Sequence, residues 1–146
     1  MNTLTVPTIA DLFPDTVAAD ASVDVGIGLD FDTVAMPELA ARRILDILGH
    51  IRPHPVGAAI ARGGQWVLIL RHESGEGMHW PWPVDHRDTG LLSVPPLSAS
   101  PADALHWARL GNNEGRVFSA ALPLYAALPL LAPFGRSPRP PETVRP

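Results

Sequence analysis

The sequence contains no cysteine and no lysine. Without cysteine there is no disulfide framework, no thiolate metal site and no thiol nucleophile, which suits a reducing compartment. Without lysine, all eleven basic residues are arginine. Together with the many Ala, Pro and Gly residues, that is what GC-rich codon usage produces without any structural demand. Charge is also scarce, at 18 % of residues, and the net charge is −4. No basic cluster is denser than Arg42-Arg43. A protein that binds nucleic acid mainly by neutralising phosphates needs a basic stripe, so strong autonomous DNA binding is not expected. The first residues, MNTLTVPTIADLFPD, carry no basic start and no long apolar run, so no secretory signal is expected and a cytoplasmic location is.

What is present is enough apolar side chain for a core, 46 % of 146 residues, in a length that suits one domain. Residues 1–21 mix small, acidic and isolated apolar side chains with Pro7 and Pro14 and read as a flexible arm outside the core, with one turn of helix at Thr8–Phe13. From Val23 to Phe31 apolar and polar residues alternate strictly, the pattern of a strand with one apolar face. Pro37 suits a first helical turn, and Met36, Ala40, Ile44, Ile47 and Leu48 recur at helical spacing up to Gly49. The runs PVGAAIA and QWVLILRH flank Arg62-Gly63-Gly64 and predict a hairpin. A fourth short strand is expected at Gly90–Val94. Ser100-Pro101-Ala102-Asp103 reads as the capped start of a helix running to Leu110.

Val117–Phe134 is a run of 18 residues without a charge, at the short end of what crosses a bilayer. Pro123, Pro129 and Pro133 interrupt it, so a buried, kinked helix or helix pair is expected and a membrane span is not. The expected architecture is α+β, a small, mainly antiparallel sheet of about four strands with helices packed on one face. It occupies residues 22–134, with a disordered Pro/Arg tail at 135–146.

Asp30-Phe31-Asp32 is the sharpest candidate for chemistry, because strand alternation would place both carboxylates on one face, opposite the apolar row. Carboxylates so placed share divalent ions, and Mg²⁺ is usually held by one or two of them with substrate phosphates. A polar strand face produces the same pattern. Order along the chain adds to it. The Asp-x-Asp strand is followed by a helix, by the hairpin with Gly63-Gly64-Gln65-Trp66, and by Asp85-His86-Arg87 leading into a strand that ends at Pro95-Pro96, with Trp107 beyond. Over residues 22–107 this order resembles the N-terminal domain of the bifunctional DNA primase-polymerases.

The resemblance implies a primase-polymerase-like fold. Asp30 and Asp32 would be metal ligands for Mg²⁺ or Mn²⁺, Asp85 a third catalytic carboxylate, and Arg87 a contact to a nucleotide phosphate. It also marks departures. The family's nucleotide-contacting histidine aligns with Trp66, whose indole donates one hydrogen bond and carries no proton or charge. His72 is six residues on, about 20 Å along a strand, and is not expected to replace it. The family's basic front is replaced by the acidic arm. The expected function is therefore a catalytically impaired primase-polymerase-like domain acting as a binding or regulatory protein with a protein partner. Two alternatives stand beside it: an active metal-dependent nucleotidyltransferase, and an interaction module unrelated to nucleotides that presents Trp80 and Trp82. His50 and His54 are four apart, but Pro53 and Pro55 break the helix that would align them on zinc. Gly26-x-Gly28 lacks the rest of a dinucleotide loop, and no nucleophile-elbow motif occurs.

Overall fold

The computed structural model describes residues 8–112 and 114–131. The strictly alternating segment 23–31 is not one strand. It divides into β1 (Val23–Gly26) and β2 (Phe31–Pro37) around a turn. Gly28 makes the turn, with φ at +104° and the space of a Cβ taken by the Asp88 carbonyl. Both conditions admit only glycine. The apolar row ends there too, since Leu29 is 81 % exposed. Helix α2 (Glu38–Ile47) follows Pro37 as expected, and the Gly63-Gly64 turn joins β3 (Ala59–Arg62) to β4 (Gln65–Arg71) in the expected antiparallel hairpin.

Beyond the hairpin come β5 (Asp85–Arg87), β6 (Leu91–Val94), β7 (Leu105–Arg109) and the two-residue β8 (Phe118–Ser119), then α3 (Ala121–Ala127) and a 3₁₀ turn at Leu128–Leu130. The main sheet runs β5-β2-β4-β3-β7, all antiparallel, with β8 added parallel to the end of β4. β1 pairs with β6 in a separate two-stranded sheet. The class is thus α+β with mainly antiparallel pairing, as expected, but with eight strands among the described residues rather than about four. Gly57 lets β8 approach, because a Cβ there would stand 2.4 Å from the Val117 carbonyl oxygen. Its N–H donates to Ser119 Oγ at 2.8 Å.

Alternation along β2 and β4 divides the core in two. Val34, Met36, Trp66, Leu68 and Leu70 face α2 and α3, where Ile44, Leu48, Leu124 and Leu128 cover them. Phe31, Ala35, Val67 and Ile69 face the other way, against Leu92 and Val94 of the small sheet and Ile27 in the turn after β1. Helices therefore do not cover one face alone. A short capped helix, α1 (Ile9–Leu12), sits on the second face. It is closed by a Thr8/Asp11 capping box. Ile9 and Phe13 are buried, and the Phe13 ring meets Phe31 edge-on at 5.2 Å. The expectation of an arm outside the core is corrected on this point for residues 8–16, while residues 1–7 lie outside the described residues.

The helix expected over 100–110 is not formed. Ser100 and Asp103 do exchange the hydrogen bonds of a cap, Asp103 Oδ2 accepting from Ser100 N at 2.9 Å, but these close a turn. β7 follows it, because Leu105 and Trp107 gain more by pairing with β3 and packing beside Phe13. The apolar run from 117 becomes β8, α3 and the 3₁₀ turn. Among the described residues no helix is long and apolar enough to cross a membrane. The expected tail at 135–146 lies outside the described residues.

Candidate functional site

The carboxylates singled out by the sequence do not converge. Asp30 is exposed in the turn before β2, and Asp32 is fully buried in the strand. They do not share a strand face, because Asp30 precedes the strand. Asp32 points to the helix-covered side with Val34 and Met36. Asp85 and Arg87 pair with Ala35 and Thr33 in the β2–β5 register. Alternation sends them to the opposite side of the sheet.

There Asp85 and Arg87 form an exposed ion pair at 2.7 Å. With Thr33 and Arg62 they line a cleft of about 180 Å³ between the two sheets. These carboxylates do not fit a shared divalent ion, since Asp32 and Asp85 are separated by the sheet itself. Among the described residues no group of three or more histidine, aspartate or glutamate side chains is placed to hold a metal.

Asp32 is instead the centre of a small polar cluster. Its Oδ1 lies 2.9 Å from His72 Nδ1, and its Oδ2 accepts the Glu73 N–H at 2.8 Å. The antiparallel register sets this up, since Arg71 pairs with Phe31 and the chain after β4 therefore turns back over Asp32. The carboxylate's hydrogen bond and charge, with Glu73 and Glu76 adding theirs, raise the His72 pKa above its ordinary value.

His86, from β5, brings a second imidazole. Its Nε2 is buried without a hydrogen-bond partner among the described residues and stands 3.9 Å from Asp32 Oδ2. Trp80 roofs it, the two rings stacked at 5.8 Å with a 17° interplanar angle. Trp80 donates from Nε1 to the Gly75 carbonyl at 3.3 Å and meets Tyr125 edge-on at 5.2 Å. Gly75 is needed beneath this stack, where a Cβ would crowd Trp80, His86 and Leu70 at 3.1 to 3.3 Å.

Chemically, a buried carboxylate that orients an imidazole through Nδ1 is the arrangement of an oriented base. The described residues supply no serine or threonine hydroxyl bonded to the His72 Nε2, which stands 3.7 Å from Glu73 Oε2. What the cluster does structurally is fasten the 72–83 loop to β2. Sequence reasoning missed the cluster. It measured His72 along β4 from Trp66 rather than across the sheet from Asp32. The available signal was the antiparallel hairpin order, which brings the end of one strand beside the start of its neighbour.

Trp66, at the position of the family's histidine, is buried on the helix side, where the Arg42 guanidinium lies 5.0 Å from its ring centre. Trp80 and Trp82 separate in role. Trp80 belongs to the packed roof, while Trp82 is 51 % exposed. Trp107 donates from its indole to the Pro95 carbonyl at 3.0 Å, tying β7 to the Pro95-Pro96 loop. Comparison of the chain with family models, with curated proteins and with solved structures finds no match.

Proposed function

We propose that this chain is a primase-polymerase-like domain without nucleotidyl transfer, acting in the cytoplasm as a binding or regulatory protein. The observation that carries the reading is the state of Asp32. The residue that the resemblance makes a metal ligand is buried, and both its oxygens already serve His72 and Glu73. Asp85 on the far side of the sheet and the buried Trp66 point the same way.

The reading is tested by primer extension with deoxynucleotides and Mn²⁺, together with calorimetric titration of a deoxynucleoside triphosphate. No extension and no carboxylate-dependent binding are expected. Extension that disappears in Asp30→Asn/Asp32→Asn would establish the alternative, a metal-dependent nucleotidyltransferase. An interaction module independent of nucleotides is favoured by one observation, the exposed indole of Trp82. Under that reading Trp82→Ala abolishes capture of a partner and Trp82→Phe retains part of it.

A further inference from the structure

Four arginines that are scattered in the sequence meet on one side of the molecule. Arg52, Arg71 and Arg116 line a cleft of about 330 Å³ at the end of β4, where β8 passes into α3. Arg109 lines an adjoining recess of about 320 Å³ that shares Arg52, His54 and Asn112 with the first. Among the described residues no acidic side chain lines either one. On a chain whose net charge is −4, this is a local reversal of sign.

The cations here are incompletely compensated. Glu114 pairs with Arg116 through Nη2 at 2.9 Å, but Arg116 Nε is buried and has no hydrogen-bond partner among the described residues. Arg109 is half-buried and, among the described residues, bonds only to carbonyl oxygens, those of Gly57 and Val56, each at 3.1 Å. Burial lowers its pKa. Arg71 lies over the Phe118 ring at 4.7 Å. Such stacking occupies the face of a guanidinium and leaves its N–H edge for an acceptor. Among the described residues neither Arg52, Arg71 nor Arg109 has a carboxylate partner. His54 feels the same field: its pKa is lowered first by burial and then, against a backbone hydrogen bond, by the charges of Arg109 and Arg52.

Desolvation is costly at the half-buried Arg109, which has no counter-charge, and at the buried Arg116 Nε. An anion here would offset that cost while drawing on the exposed Arg52 and Arg71, of which Arg52 donates from Nη1 to the Gly49 and Ile51 carbonyls. Planar forks of N–H donors match phosphate oxygens with two bonds each. Phe118, Ile51 and Pro123 give the same cleft an apolar wall.

We propose that the Arg52/Arg71/Arg116 cleft, with Arg109 beside it, binds a small phosphate-bearing ligand through its phosphate oxygens. The site shares no lining residue with the Asp32/His72/His86 cluster, although Arg71 directly precedes His72, and it does not depend on the reading of descent given above.

The test is calorimetric titration of the full chain with pyrophosphate, inorganic phosphate and ATP, at ionic strength held constant with sodium chloride. Saturable binding of pyrophosphate is expected, weakened at least tenfold in Arg52→Gln/Arg71→Gln, two exposed side chains, and unchanged in the exposed control Arg43→Gln. ATP binding tighter than pyrophosphate would assign a nucleotide as the source of the phosphate, with the apolar wall taking the base. Equal binding would assign the phosphate group alone. No saturable binding by the wild type, or equal affinity in both variants, overturns the proposal. Amide-shift mapping of pyrophosphate on the wild type decides the matter if the double variant does not fold. Shifts grouped at Arg52, Asn112 and Ser119 support the site, and their absence there overturns it.

Discussion

Asp32 is the residue where the structural account is most exposed to refutation. Asp32→Ala removes the acceptor of the part-buried Glu73 N–H and the partner of His72 Nδ1. Losing hydrogen bonds to a buried carboxylate costs about 1–3 kcal/mol. A loss of about 2 kcal/mol lowers a urea midpoint by roughly 1 M, at the slopes usual for small domains. Asp32→Asn is the more discriminating change. Its carbonyl still accepts from Glu73 N, but its amide donates to His72 Nδ1 only when the imidazole is neutral.

The pKa of His72 is raised in the folded protein, chiefly by the hydrogen bond it donates to Asp32. The unfolded value is about 6.5. The stabilisation from this pair is therefore fully present below that value and is lost as pH rises through the higher folded one. The gap between wild type and Asp32→Asn should be wider at pH 5.5 than at pH 8.5. Urea unfolding at the two pH values measures it, and the His72 imidazole resonance should titrate at lower pH in the variant. A gap that is constant or that widens with pH would refute the assigned contact, as would an Asp32→Ala variant as stable as wild type.

The remaining predictions concern packing. Phe13→Ala should cost about 3–5 kcal/mol by thermal or urea unfolding, because this ring is 2 % exposed against Phe31. A neutral result would return the N-terminal segment to the status of an arm. Trp80→Ala should cost about 2–4 kcal/mol through its packing with His86 and Tyr125. Trp82→Ala should change stability by less than about 0.5 kcal/mol, so equal losses in the two variants would refute the division of roles between them.

The parts of the fold legible in the sequence were those in which one local pattern decides the outcome. The Gly63-Gly64 hairpin and the helix after Pro37 have turn chemistry and periodicity in agreement, and both formed. The period-two run at 23–31 does not mark one strand, because alternation survives a turn. Val25 and Phe31 belong to one apolar row in sequence, but Gly28 turns the chain between them from one sheet to another. At Ser100 the capping signal was genuine and was satisfied locally. The continuation was decided by pairing with β3, which no window of neighbouring residues contains. The same limit applies to the sites. Asp32 and His72 are forty residues apart in the chain, and the arginine cleft draws on four separate segments. Neither has a motif, because each is a product of strand register.

Register also decides what the tryptophan at position 66 means. Trp66 pairs with Met36, and Leu70 with Asp32, so Trp66 and Asp32 lie on one face of the sheet, about 13 Å apart along the strands. Val34 and Leu68 fill the space between them, under α2 and α3. A histidine at 66 would enter that core and not a cleft, since the cleft between the sheets lies on the other face with Asp85 and Arg87. Trp66→His should therefore fail to create a nucleotide site. It should cost about 2–4 kcal/mol, because a smaller polar ring replaces an indole that is 3 % exposed and lies 5.0 Å from the Arg42 guanidinium. Urea unfolding measures the cost, and titration with a deoxynucleoside triphosphate and Mn²⁺ looks for the site. A stable Trp66→His protein that gains Mn²⁺-dependent binding, and loses it on adding Asp32→Asn, would mean that the helix-covered face opens in solution. Catalysis would then be one substitution away rather than blocked by the packing of the sheet.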